Sequence, residues 1–260
     1  SRVPSFLRTP TEMAWVVSCL VPIVLAPLIC RVKSIEPWMK LVLVAGGVAG
    51  IAAVILSLAR GSWLGLFGVL ILVIALGWYK LSTFEKSRHF SSFLVAILVC
   101  GAILVPFTPR IYERLTADDE GSALIRLPLM ENAMLMIGDN ALVGVGLNGY
   151  RTHMTKYDET GIFVSQVFAN PVHNVFAHIT AEIGILGGVI FCLLIIFSMY
   201  ESFLSFGSDD RLVAALGLGL GLAMIAFVVS GLKEPGSLGS VRPPVRIWFL
   251  ILGMTLAVTQ

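Results

Sequence analysis

Seven times along this chain an apolar stretch comes near or exceeds the length that crosses a bilayer. The stretches are Met13–Ile29, Met39–Leu58, Ser62–Tyr79, Phe90–Thr108, Val175–Tyr200, Leu212–Leu232 and Val245–Val258. A helix needs roughly 20 apolar residues to span the hydrocarbon core. The expected fold is therefore all-α, a polytopic transmembrane helical bundle of about seven spans. Composition agrees: 57% of the 260 residues are hydrophobic and 13% are charged, against about a quarter charged in soluble domains.

Between the fourth and fifth stretches lies one long polar insertion. It divides the chain into residues 1–108 with spans one to four, 109–172 as a loop, and 173–260 with spans five to seven. A net charge of +2 argues against nucleic acid as a partner, and membrane lipids are the expected surroundings. Cys19, Cys30, Cys100 and Cys192 sit in apolar runs without a C-x-x-C pair, so neither a disulfide framework nor a metal site is expected. The Ser-Arg-Val-Pro start carries no Met and no signal peptide, and further helices are expected to precede it.

Basic residues orient the bundle. Arg31, Lys33 and Lys40 flank one short loop, and Lys80, Lys86 and Arg88 crowd another. Parity puts both on one side, assigned to the cytoplasm. The long loop, Arg60 and the Lys233–Arg246 connection then face outward. Within the long loop, Ser122–Ile137 has the pattern of an amphipathic helix on the membrane face. A partly apolar segment of this length suits an active-site cover. Gly144-Val-Gly-Leu-Asn-Gly149 spells G-x-G-x-x-G, but it lacks the strand–helix setting of a dinucleotide site and is expected to be a tight turn.

Chemistry-bearing residues gather where the loop meets the fifth stretch. His173 and Asn174 follow Pro171, with His178 and Glu182 four apart on one helical face. Asn174 suits an N-cap. His173 and His178, five apart, diverge, so no preformed helical metal site results. The His178–Glu182 pair is expected to be structural. Gly184, Gly187 and Gly188 suit close approach of another helix. Arg60 stands at the outer end of the second stretch and Arg126 on the cover helix. Guanidinium groups bind phosphate oxygens through paired hydrogen bonds. Two such groups and a histidine at a lipid surface suggest a polyprenyl-diphosphate substrate. Asp118-Asp119-Glu120 is expected to be a solvated loop rather than a metal site.

Taken in order, these pieces resemble the O-antigen ligase and Wzy-type polymerase superfamily of bacterial envelope enzymes. Ser57-Leu-Ala-Arg60-Gly resembles its S-R-G stretch. Arg126 followed by Gly138-Asp-Asn-Ala-Leu-Val-Gly-Val-Gly146 resembles its outer-loop segment, with Ala141 where proline is usual. His173-Asn174 through Glu182-x-Gly184-x-x-Gly187 resembles its H-N…E-x-G-x-x-G signature. Pro128 is expected to interrupt the cover helix. The resemblance implies a metal-independent glycosyltransferase without cofactors, multi-pass in the bacterial inner membrane, with its active site facing the periplasm. It implies an undecaprenyl-diphosphate-linked glycan donor and a lipid A-core or other glycan acceptor. His173 would be the catalytic base, imidazole being the side chain that accepts a proton near neutral pH. Arg60 and Arg126, with Arg151 as a weaker member, would bind the diphosphate, and Asn174 and Glu182 would support the site. An O-antigen ligase is the leading reading. A polymerase and a protein O-oligosaccharyltransferase stay open, as does a polyprenyl-glycan transporter, although spans nearly free of charge at their centres and without repeats favour an enzyme.

Overall fold

The computed structural model describes residues 9–80, 105–116, 122–159, 171–235 and 243–258. Every regular element among them is helical: α1 (Pro10–Ile29), α2 (Pro37–Leu56), α3 (Arg60–Tyr79), a 3-10 turn (Val105–Phe107), α4 (Thr108–Thr116) and α5 (Ser122–Asp139). They are followed by α6 (Tyr150–His153) running into a second 3-10 turn (Met154–Tyr157), then α7 (Val175–Phe206), α8 (Arg211–Gly231) and α9 (Pro243–Val258). Five of these, α1, α2, α3, α7 and α8, are long and apolar enough to cross a membrane. The stretch expected at Val245–Val258 is present as the shorter helix α9. The expected span Phe90–Thr108 lies outside the described residues except at its end, where Val105–Phe107 is a 3-10 turn and Thr108 opens α4.

The chain forms two compact units, one of residues 1–116, 197–227 and 247–260, the other of residues 117–196 and 228–246. In the first, α1, α2 and α3 pack around Ala14, Val21, Val54, Trp63 and Leu66. Thr9 caps α1, its hydroxyl accepting from the Glu12 amide at 3.1 Å, and α1 runs through Pro22 and Pro27 as one helix. The turn from α2 to α3 is built by side chains. The Ser57 hydroxyl donates to the Val54 carbonyl at 2.6 Å and accepts from the Ala59 amide at 3.2 Å. Trp63 Nε1 donates to the carbonyls of Val54 and Ile55, both at 3.1 Å. These bonds take up carbonyls freed at the end of α2. Lys80, at the end of α3, donates to the carbonyls of Gly207 and Ser208 just past α7, at 3.2 and 3.0 Å. The C-terminal ends of α3 and α7 therefore lie together in this unit.

In the second unit, α5 buries Leu129, Asn132, Ala133, Met136 and Ile137, the three-and-four spacing of one helical face. Pro128 does not interrupt this helix: α5 is continuous from Ser122 to Asp139 with the proline inside it. The proline sits in its first half, where losing one amide leaves the packed second half intact. Ala133, Met136 and Ile137 of α5 join Tyr150, Met154, Tyr157 and Val172 in one core with Ala181 of α7. Two asparagines tie the layers: Asn132 Nδ2 donates to the Met154 carbonyl and Asn140 Nδ2 to the Tyr157 hydroxyl, both at 2.9 Å.

Candidate active site

Helix α7 is assigned over 32 residues but is broken at Gly184, whose backbone lies at φ 77°, ψ 173°. A straight helix of that length measures about 48 Å, well beyond a hydrocarbon core of about 30 Å. The break leaves a short head, Val175 to Ile183, and a body, Ile185 to Phe206, which at about 33 Å crosses on its own. His178 and Glu182 therefore lie in a head that crossing does not require.

A break in a helix frees backbone groups, and here a loop takes them up. The amides of Val145 and Gly146 donate to the carbonyls of Ala181 and Glu182, both at 2.9 Å, and the Ile185 amide donates to the Ala141 carbonyl at 2.7 Å. Gly144 closes its own turn onto the Asn140 carbonyl at 2.8 Å. The two backbones cross so closely that a Cβ on Gly144 would strike the main chain of Glu182 and Gly184, and one on Gly184 would strike that of Leu142. Gly144 at φ 70° and Gly184 at φ 77° also adopt a conformation that side chains disfavour. The glycine turn expected from G-x-G-x-x-G is present, and a loop rather than a helix makes the close approach at Gly184. For Gly187 and Gly188 the nearest atoms are Ile183 and Thr180 of their own helix.

The head carries the expected cap. Asn174 Oδ1 accepts from the amides of Phe176 and Ala177 at 3.0 and 3.1 Å, and its carbonyl accepts from the His178 amide at 3.0 Å. His173, half-buried with Nδ1 shielded from solvent, immediately precedes the cap. One turn further in, the His178 imidazole faces the Glu182 carboxylate, Nε2 to Oε1 at 3.4 Å, with both side chains buried. The Tyr150 amide approaches the same carboxylate oxygen at 3.5 Å. Glu182 thus holds the loop twice, through its carbonyl to Gly146 and through its carboxylate to Tyr150. A buried carboxylate is costly unless it is paired in this way.

Tyr150 was not singled out by the sequence. Its ring stacks on His178 with centroids 4.6 Å apart, and its hydroxyl lies near the Val172 backbone without reaching hydrogen-bond geometry. Burial pushes this phenol well above its usual range, so it stays neutral. Tyr150 links Val172, the neighbour of His173, to the His178–Glu182 pair. The only sequence signal for it was an aromatic directly after the glycine turn.

The arginines are placed differently. Arg126 and Arg151 are exposed on α5 and α6. The charge of Arg126 is felt at Lys233, another residue the sequence reading passed over, just beyond α8. Burial holds the Lys233 ammonium below the usual lysine range, Glu234 pulls it back up, and Arg126 lowers it further. Arg60 belongs to the other unit and opens α3, after a turn in which Leu58 takes φ 57°. Its position is thus a helix N-terminus, where free amides and the dipole favour anions, rather than the end of α2. Asp118, Asp119 and Glu120 lie outside the described residues. Among the described residues no cluster of metal-ligating side chains occurs.

Residues 45–192, more than half the chain, match the family model described as O-antigen ligase. The match takes in Arg60, Arg126, Arg151 and the whole head of α7. No curated protein matches the chain.

Proposed function

Because the chain belongs to the O-antigen ligase family, and so is a multi-pass membrane enzyme of glycosyl transfer, we propose that it moves a glycan from undecaprenyl diphosphate to an acceptor hydroxyl. The acceptor in this reading is lipid A-core, and the reaction takes place at the periplasmic face of the bacterial inner membrane. The observation that carries the proposal is the seating of His173. It stands at the mouth of a capped helical head that is braced by Tyr150, His178 and Glu182 and lies within the matched region.

In this reading His173 removes the proton of the acceptor hydroxyl as the oxygen attacks the anomeric carbon. The bond from that carbon to the diphosphate oxygen breaks, and undecaprenyl diphosphate leaves with the electron pair. Arg60 at the N-terminus of α3 and Arg126 on α5 stabilise the charge that develops on the diphosphate, with Arg151 assisting. Both Arg126 and Arg151 are exposed, so each guanidinium is open to a ligand. Asn174 and Glu182 hold the segment that carries His173.

The test uses purified full-length protein, an undecaprenyl-diphosphate glycan and EDTA, with lipid A-core added or withheld. Release of undecaprenyl diphosphate only when lipid A-core is present supports the ligase reading and metal independence together. Lengthening of the glycan without it replaces the ligase with a polymerase. Donor binding without any release replaces the enzyme with a transporter.

A further inference from the structure

The loop that receives the broken helix ends in an apolar tip. Leu142 and Val143 are 85% and 79% exposed, although the backbone beside them is tied to α7 on both sides. The Ala141 carbonyl accepts from Ile185, and the Gly144, Val145 and Gly146 amides are all bonded. Backbone near hydrocarbon is tolerated when its polar groups are satisfied, and the ladder does this for the residues that flank the tip, Ala141 and Gly144 to Gly146. The tip continues an apolar surface: Ile185 and Leu186, next to the crossing, are exposed, and the aliphatic face runs on along the body of α7 through Ile190 and Leu193. That body has the length and composition of a membrane span, and its exposed aliphatic face suits acyl chains. Exposed polar residues, Asp139 before the tip and Asn148 after it, give it the shoulders of an interfacial element.

We propose that Leu142 and Val143 seat among the acyl chains of the leaflet that α7 enters at Gly184, so that the loop is a membrane anchor setting the depth of the α7 head. Surrounding bilayer lipid is the occupant because the tip is continuous with the exposed aliphatic face of a helix long and apolar enough to cross a membrane. The inference rests on the membrane-spanning body of α7 and not on the transfer chemistry.

A nitroxide label on Leu142→Cys, in full-length protein with its native cysteines replaced, reads the depth directly. The protein is placed in phospholipid nanodiscs without glycan donor, and collision with oxygen is compared with collision with a water-soluble nickel chelate. Leu186→Cys serves as the lipid reference and the exposed Lys156→Cys as the aqueous one. The expected result is a depth of about 5–10 Å below the headgroups, close to the Leu186 reading. A reading like that of Lys156 would overturn the proposal. Shielding from both reagents would replace lipid with a protein partner or a second copy. A lipid-like reading gained only after adding an undecaprenyl-diphosphate glycan would replace bilayer lipid with the donor's own chain. Val143→Cys gives the same readout should Leu142→Cys fail to fold.

Discussion

The two parts of α7 on either side of Gly184 belong to one helix but live in different surroundings. From Val175 to Ile183 no residue is exposed, and the stretch carries a capped start and a buried His–Glu pair. From Ile185 onward large aliphatics stand open on one side, with Leu186 68% and Ile196 61% exposed. The body is shaped by length and hydropathy, as a membrane demands. The head is shaped by particular partners, namely a cap, a stacked ring and a loop that bonds its carbonyls. Polar chemistry in a membrane enzyme can thus be placed by ending the span early rather than by burying charges in its middle.

The difference can be attacked in order of expected effect. His173→Ala should lower the transfer rate by about 10²–10⁴-fold, the usual contribution of a positioned base, while donor binding is retained. Leu193→Ala in the body should leave the rate near wild type, and equal losses in both variants would erase the distinction. Arg60→Lys keeps the charge but loses the planar fork. The loss of charge-assisted hydrogen bonds worth about 1.5–3 kcal/mol should appear in transfer at low donor concentration, and wild-type behaviour would reduce Arg60 to an interfacial anchor.

Gly184→Ala should destabilise the protein by at least about 1–3 kcal/mol, the cost of a side chain at such a backbone conformation, and by more through collision with Leu142. Gly146, also at positive φ but with open space around its Cβ position, separates the two causes. Gly146→Ala should lower the thermal midpoint less than Gly184→Ala. Asn174→Ala removes the cap and should cost about 1 kcal/mol, read in the same melts. The smallest effect is at Lys233. Its lowered pKa leaves more neutral amine below that pKa, so it should acylate faster than an ordinary lysine. Arg126→Gln removes one cause of the lowering, raises the pKa and should slow acylation, and an unchanged rate would separate the two residues.

What was legible in the chain follows the same divide. The bounds of α2 and α3 come within two residues of the apolar runs at Met39–Leu58 and Ser62–Tyr79, because hydrocarbon thickness is a single uniform constraint. Asn174 was legible as a cap because its side chain bonds its own neighbours. The break at Gly184 was not, since Ile183-Gly184-Ile185-Leu186 is as apolar as any span and glycine is common in membrane helices. What breaks the helix is a loop some 40 residues earlier in the chain, and no local pattern announces it. Tyr150 and Lys233 were missed for a related reason: each matters through a neighbour distant in sequence. Pro128 misled in the opposite direction, because the packed face from Leu129 to Ile137 outweighs one missing amide.

The ladder between residues 141–146 and 181–185 also has a direction in time. Chains emerge from the ribosome N-terminus first, so the glycine loop is made before the stretch it bends. The loop and α5 can rest as a finished template while Ala181 to Ile185 is still to come. The break at Gly184 is then made as the new helix arrives, because the loop that bonds its carbonyls is already in the chain.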